Sequence, residues 1–133
     1  MKSIKISIPS LIENIKIIES FIDNAKEKFQ INDDIYGNIM ISVTECVSNA
    51  IIHGNRNDAN KSVQLEVNFL EDQLQFTIED EGKGFDYENL NDPTSPENIE
   101  NPGGRGVFIM KHLSDEVNYE NEGRKTILTF YMN

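Results

Sequence analysis

The chain has 133 residues, 23 acidic against 12 basic, for a formal net charge of −11. With no cluster of Lys or Arg to offset that charge, phosphate backbones and anionic membrane surfaces would be repelled rather than steered in, so neither nucleic acid nor membrane is expected as a partner. The single Cys46 excludes an internal disulfide, and one Cys with two widely spaced His offers no zinc site.

The length suits one domain over 1–133, and no internal repeat or boundary is visible. No run of 18 or more apolar residues occurs, and the amino terminus alternates instead of forming a signal-peptide core, so a cytoplasmic protein is expected.

In chain order, Lys2 to Ile8 sets Ile4, Ile6 and Ile8 against Ser3, Lys5 and Ser7, the period-two pattern of a half-buried strand that Pro9 ends. Ser10 with Glu13 fits a capping box. Leu11, Ile15, Ile18, Phe21 or Ile22, Ala25 and Phe29 then recur at helical spacing to about residue 29. That stripe could line a dimer seam, but it is short for a self-sufficient coiled coil, and core packing is the expected use.

Asn32 or Asp33 caps a second helix, with acidic residues at its positive end. Ile39, Val43, Cys46, Val47 and Ala50 form its apolar face, and Met40, Ile41, Ile51 and Ile52 add apolar surface elsewhere, so the helix is expected to be largely buried. Cys46 on that face reads as a small buried hydrophobe. Glu45 and Asn49 stand four apart on another face, where a carboxylate would need a polar partner if buried. An ordinary solvent-facing strip would explain the same spacing. His53 continues the strip one turn on, and Gly54 is expected to close the helix in a left-handed conformation.

Asn55 to Asn60 is turn-rich, after which Ser62 to Leu70 and Leu74 to Glu79 alternate as a hairpin through Glu71, Asp72 and Gln73. Asp80 follows at a strand end, ahead of Gly82, Gly84 and Phe85. The two glycines permit a tight turn and a close backbone approach by a ligand, although a plain polar turn would look alike. Residues 87 to 105 hold three prolines and no periodicity, the pattern of a long loop that could cover a site. It ends in Gly103-Gly104-Arg105-Gly106-Val107, a glycine cluster feeding a short apolar helix. Such a junction is either a flexible hinge or a ready phosphate site. Asp115 to Glu120 and Lys125 to Met132 complete the chain as two more strands, giving an α+β protein whose antiparallel sheet carries helices on one face.

Taken together, Glu45 and Asn49 on a helix, Asp80 with its glycines, and a glycine-rich helix start describe one site. An asparagine oxygen suits Mg²⁺, which shares phosphate oxygens and would reconcile this acidic chain with a polyanion.

Glu45-x-x-x-Asn49 with Ala50 and His53-Gly54 resembles the N box of the GHKL ATPases, Asp80-x-Gly82-x-Gly84 their first glycine box and Gly104-x-Gly106 their second. The nearest form is the small anti-sigma-factor serine kinase branch. The resemblance implies the two-layer Bergerat sandwich of a histidine-kinase-like ATPase domain and ATP or ADP with Mg²⁺ as ligands. It implies Asp80 on the adenine, Asn49 on the metal, and Gly103, Gly104, Arg105, Gly106 and Val107 at the phosphates. His53, Gly82, Gly84 and Phe85 would complete the nucleotide site, Thr126 would support the adenine pocket, and Glu45 would act as general base.

The implied activity is phosphoryl transfer from ATP to Ser or Thr of a regulatory partner protein of the anti-sigma antagonist type. A sigma factor and a second copy of the chain are the further partners implied. Alternatives are a nucleotide-dependent protein-binding module with little turnover and a stand-alone ATPase. A histidine-bearing helical domain, as histidine kinases carry, has no room here.

Overall fold

The computed structural model describes residues 2–83 and 109–132. Strand β1 (Lys2–Pro9) leads through a 3-10 turn (Ile12–Asn14) into helix α1 (Ile15–Phe29) and helix α2 (Asp33–Asn49), which ends in a π-helical turn (Ala50–Gly54). Strands β2 (Ser62–Leu70) and β3 (Gln73–Glu79) form the hairpin, and β4 (Glu116–Glu120) and β5 (Lys125–Tyr131) follow. Residues 109–113 are helical. The expected long loop and glycine cluster, with Gly84, Phe85, Gly103, Gly104, Arg105, Gly106 and Val107, lie outside the described residues.

The five strands form one sheet in the order β1-β2-β3-β5-β4, and every neighbouring pair is antiparallel. Its register runs Ile6, Leu65, Ile78, Thr126 and Tyr119 across one row and Ile4, Val67, Phe76, Leu128 and Val117 across another. Because side chains alternate along strands, these rows share a face. That face is the core: Leu65, Val67, Phe76 and Leu128 are completely buried, and Phe76 meets Phe130 edge to face at 5.8 Å. Intervening positions such as Gln64 and Gln75 are polar, as a sheet with one packed face requires.

The helices close the core from that side. Ile18, Ile22, Ala25 and Phe29 of α1 are buried, and Phe29 stacks on Phe69 at 5.4 Å, so the α1 stripe serves the core. On α2 the buried face is Ile39, Val43, Cys46 and Val47, and the Asn32 side chain caps the first turn by accepting the Ile35 N–H at 3.1 Å. The stretch Asp33–Gly54, 22 residues at hydropathy 1.3, is long and apolar enough to cross a membrane by length and composition. Its apolar face, however, is already packed in the protein core.

Three local expectations need correction. Ser10 makes no capping box: its Oγ donates to the Lys61 carbonyl at 2.7 Å, and the 3-10 turn begins after Leu11 without a side-chain cap. Helix α2 is less buried than its composition suggests. Ile41 and Ile52 are 49% and 40% exposed because they share the Glu45 side of the helix, away from the sheet. Gly54 is not left-handed, since Gly123 is the described glycine with positive φ; the helix instead widens into its π turn, where the Asn55 N–H reaches the Ala50 carbonyl at 2.8 Å.

Candidate functional site

The α2 strip is set by helical geometry: Glu45 and Asn49 stand one above the other and both are half-buried, while His53 beyond them is exposed. Half-burial removes the need for a buried counter-charge, because water can still reach the carboxylate. The π turn then brings Gly54 against the loop that follows β3.

That contact fixes Asp80. A Cβ added at Gly54 would lie 2.5 Å from the Asp80 carboxyl carbon, and one added at Gly82 would lie 2.1 Å from the Gly54 carbonyl oxygen. Gly82 is therefore needed for close approach to another part of this chain, and its conformation is not left-handed. The Asp80 N–H donates to the Arg124 carbonyl at 3.0 Å, and its Oδ1 accepts the Gly82 N–H at 2.8 Å. Burial pushes the Asp80 carboxyl above its ordinary range, opposed by the Gly82 N–H and the Arg124 charge. A half-buried carboxylate held at a strand end is an acceptor available to a neutral amine.

Thr126 joins the same neighbourhood through the sheet. It pairs with Ile78 on β3 and Tyr119 on β4, is buried, and its hydroxyl lies beside the Cys46 thiol of α2. Burial raises the Cys46 thiol to about 12, Thr126 partly opposes this, and the Asp80 charge adds to it. Thr126 and Cys46 are thus in contact, with the Asp80 charge near enough to be felt. The role of Cys46 as a small buried hydrophobe is as expected, but its place against Thr126 is not visible in its spacing.

Among the described residues, cavities adjoin the Asp80 to Gly82 loop. One of 340 Å³ is lined by Ser62, Gln64, Glu79, Asp80, Glu81 and Arg124. Another, of 390 Å³, includes His53, Arg56, Lys61 and Lys83 in its lining, so several of the few cations of an acidic chain gather beside Gly54 and Gly82.

Sequence reasoning missed Asn55. This residue, 1% exposed, bridges α2, Ser10, Ser62 and Glu81. As an asparagine after a helix-ending glycine it reads as a turn former, and only its partners, 45 and 26 residues away for Ser10 and Glu81, show otherwise.

The donor set also bears on the implied Mg²⁺. Among the described residues no group of three or more His, Cys, Asp or Glu could hold a metal ion. A lone amide oxygen at Asn49, on a half-exposed face, fits a cation that keeps its waters and takes most other ligands from phosphate. It does not fit a metal caged by protein alone.

The fold is that of a known family. The pattern of the histidine kinase-like ATPase domain matches residues 8–132. The chain is 28% identical over 137 residues to serine-protein kinase RsbW of Bacillus subtilis strain 168, covering 98% of this chain and 86% of that protein. With serine-protein kinase RsbW of Staphylococcus aureus strain JH9 it shares 29% identity over 131 residues, 93% of this chain and 82% of the relative. The chain belongs to the histidine kinase-like ATPase family, as the GHKL resemblance of its motifs implies.

Proposed function

We propose that this chain is an ATP-dependent serine/threonine protein kinase of the anti-sigma-factor type, one ATPase domain over 1–133 acting in the cytoplasm on a regulatory partner protein. The observation that carries the reading is the α2 strip, with the Glu45 carboxylate one turn from the Asn49 amide and the helix end packed on Asp80. The names of the relatives, serine-protein kinases, support the same chemistry.

In this reading Asp80 accepts a hydrogen bond from the adenine amine, with Thr126 beside it and His53, Gly82, Gly84 and Phe85 around the nucleotide. Asn49 offers its amide oxygen to Mg²⁺, which supplies charge neutralisation at the phosphates when bound. Gly103, Gly104, Arg105, Gly106 and Val107 receive the phosphates.

Glu45 accepts the proton of the partner's Ser or Thr hydroxyl as its oxygen bonds the γ-phosphorus and the bond to the ADP oxygen breaks. A half-exposed position suits that role, because the carboxylate is within reach of an incoming hydroxyl and can be covered by a docked partner. A sigma factor and a second copy of this chain are the other partners proposed.

The test is transfer of radiolabelled phosphate from ATP to proteins co-purifying with the chain from its source cell. Label should appear on Ser or Thr of a partner. Tight ATP binding with no labelled partner would leave a nucleotide-dependent binding module instead.

A further inference from the structure

Asn55 sits just beyond the π turn, and its side-chain amide is fully used. Its Oδ1 accepts the Glu81 N–H at 2.7 Å, and its Nδ2 donates to Ser10 Oγ at 2.7 Å and to the Ser62 carbonyl at 3.0 Å. Ser10, itself completely buried, passes the chain of bonds on by donating to the Lys61 carbonyl at 2.7 Å. The backbone of Asn55 is tied too, donating to Ala50 at 2.8 Å and accepting from the Asp58 N–H at 3.1 Å. Such a network, satisfied at each of these atoms, has one geometry and resists rotation of any member.

The end of this network is the peptide that follows Asp80. On one side of the Asp80 Cα, its own N–H is held by the Arg124 carbonyl at 3.0 Å. On the other, the Glu81 N–H is held by Asn55, and the Glu81 carboxylate accepts the Ser62 N–H. With both flanking amides fixed, the direction of the Asp80 side chain is fixed as well, and the Gly82 N–H at 2.8 Å completes the restraint. Asn55 is bonded to Ser10, Ser62 and Glu81 rather than pointed at a ligand.

We propose that Asn55 is a positioning residue for Asp80, and that through it the junction of β1 and β2 sets the base selectivity of the nucleotide site. This rests on the reading of Asp80 as the adenine acceptor. An Asp80 free to rotate would still accept a hydrogen bond, but would no longer favour an amine at one fixed point over a keto oxygen there. A residue that merely fills space would alter stability and leave selectivity alone.

The experiment measures dissociation constants of Mg-ATP and Mg-ITP, which differ in that exocyclic group, for the parent chain, Asn55→Ala and Ser10→Ala, with a thermal melt of each. The parent should prefer ATP. Asn55→Ala should lower the ATP-over-ITP ratio roughly three- to tenfold, the worth of one net hydrogen bond, mainly by weakening ATP. Ser10→Ala, which removes only the anchor, should shift the ratio the same way by less; if Asn55→Ala does not fold, it decides the matter alone. Folded variants with a lowered melting temperature and an unchanged ratio would overturn the positioning role while leaving the nucleotide site intact. A parent that binds neither nucleotide, or binds both equally, would overturn the Asp80 reading and this inference with it.

Discussion

Gly54 and Asp80 touch so closely that a methyl group on the glycine would lie 2.5 Å from the carboxyl carbon of the aspartate. The helix that carries Glu45 and Asn49 therefore has its end seated against the strand-end carboxylate. Gly82 repeats the constraint against backbone, where its added carbon would meet the Gly54 oxygen at 2.1 Å. A carboxyl group can swing aside more easily than a main-chain carbonyl can. Gly54→Ala should cost about 1–3 kcal/mol of stability, as overpacking usually does, and Gly82→Ala more. Gly37→Ala is the control: nothing lies within 4 Å of its added carbon and the site is exposed on α2, so it should stabilise by about 1 kcal/mol. Urea melts of the three variants read all of these; equal effects at 54 and 37 would contradict the packing.

Asp80 is expected to trade stability for binding. Burial raises its carboxyl above the ordinary 3.8, so the folded chain holds that proton more tightly than the unfolded one does. The cost of ionising it is absent below 3.8 and grows as pH rises through the folded value. Asp80→Asn should thus raise the melting temperature of the nucleotide-free protein at pH 7, and the gain should shrink toward pH 4. The same change turns an acceptor into a possible donor toward the adenine amine, so nucleotide binding should weaken by roughly 1–3 kcal/mol. Calorimetric melts at several pH values beside a binding titration separate the two effects. A variant less stable than the parent at pH 7 would mean that burial is not the dominant influence on this carboxylate.

Cys46 should be chemically silent. It is 4% exposed and its thiol is pushed up to about 12, chiefly by burial, so almost no thiolate exists at pH 8. Ellman's reagent should leave the folded chain unmodified and titrate one thiol after denaturation. Because Cys46 lies against Thr126 in the core, rapid reaction in the native state would show that this part of the core opens.

Much of this arrangement is legible in the sequence, and the parts that are not share one cause. Ile4, Ile6 and Ile8, the Ile18 to Phe29 stripe and the alternations of β2 and β3 report period and burial, which are local. The sheet order, with β5 between β3 and β4, depends on which strands meet after the chain has folded. Ser10 shows the limit well. Ser followed by Glu three residues later is a helix-start signature, yet the hydroxyl serves Lys61 and Asn55, some fifty residues on, because that network satisfies two buried groups at once. Gly54 shows another, since a glycine at a helix end suggests left-handed backbone while here it makes room for Asp80.

Nucleotide should stabilise the fold. A ligand that binds only the folded chain, present at about 100 times its dissociation constant, adds roughly 2.7 kcal/mol. Thermal melts with millimolar Mg-ATP or Mg-ADP should move upward, and omission of Mg²⁺ should reduce the shift by removing the ion expected at Asn49. A folded protein whose melt is indifferent to nucleotide would refute the site as a whole.

Kinase and binding module differ in what Glu45 does. As general base, Glu45 takes a proton only while the phosphoryl group moves, so its loss should spare nucleotide affinity within a few-fold. Transfer to a protein partner should fall by roughly 10²- to 10⁴-fold in Glu45→Ala, the usual worth of a positioned base. Asn49→Ala should act differently, because an amide that meets the metal contributes to binding Mg-ATP as well as to transfer. The position of Glu45 helps here: it is half-buried one turn from Asn49 and outside the buried face of α2, so its removal should leave the core, and hence the melting temperature, nearly unchanged. Labelled transfer to co-purifying proteins, run beside ATP titrations of the parent and both variants, gives the two readouts together. If the parent binds ATP yet labels no partner, and Glu45→Ala changes neither binding nor transfer, the carboxylate is an ordinary surface residue and the chain works as a nucleotide-gated binding module.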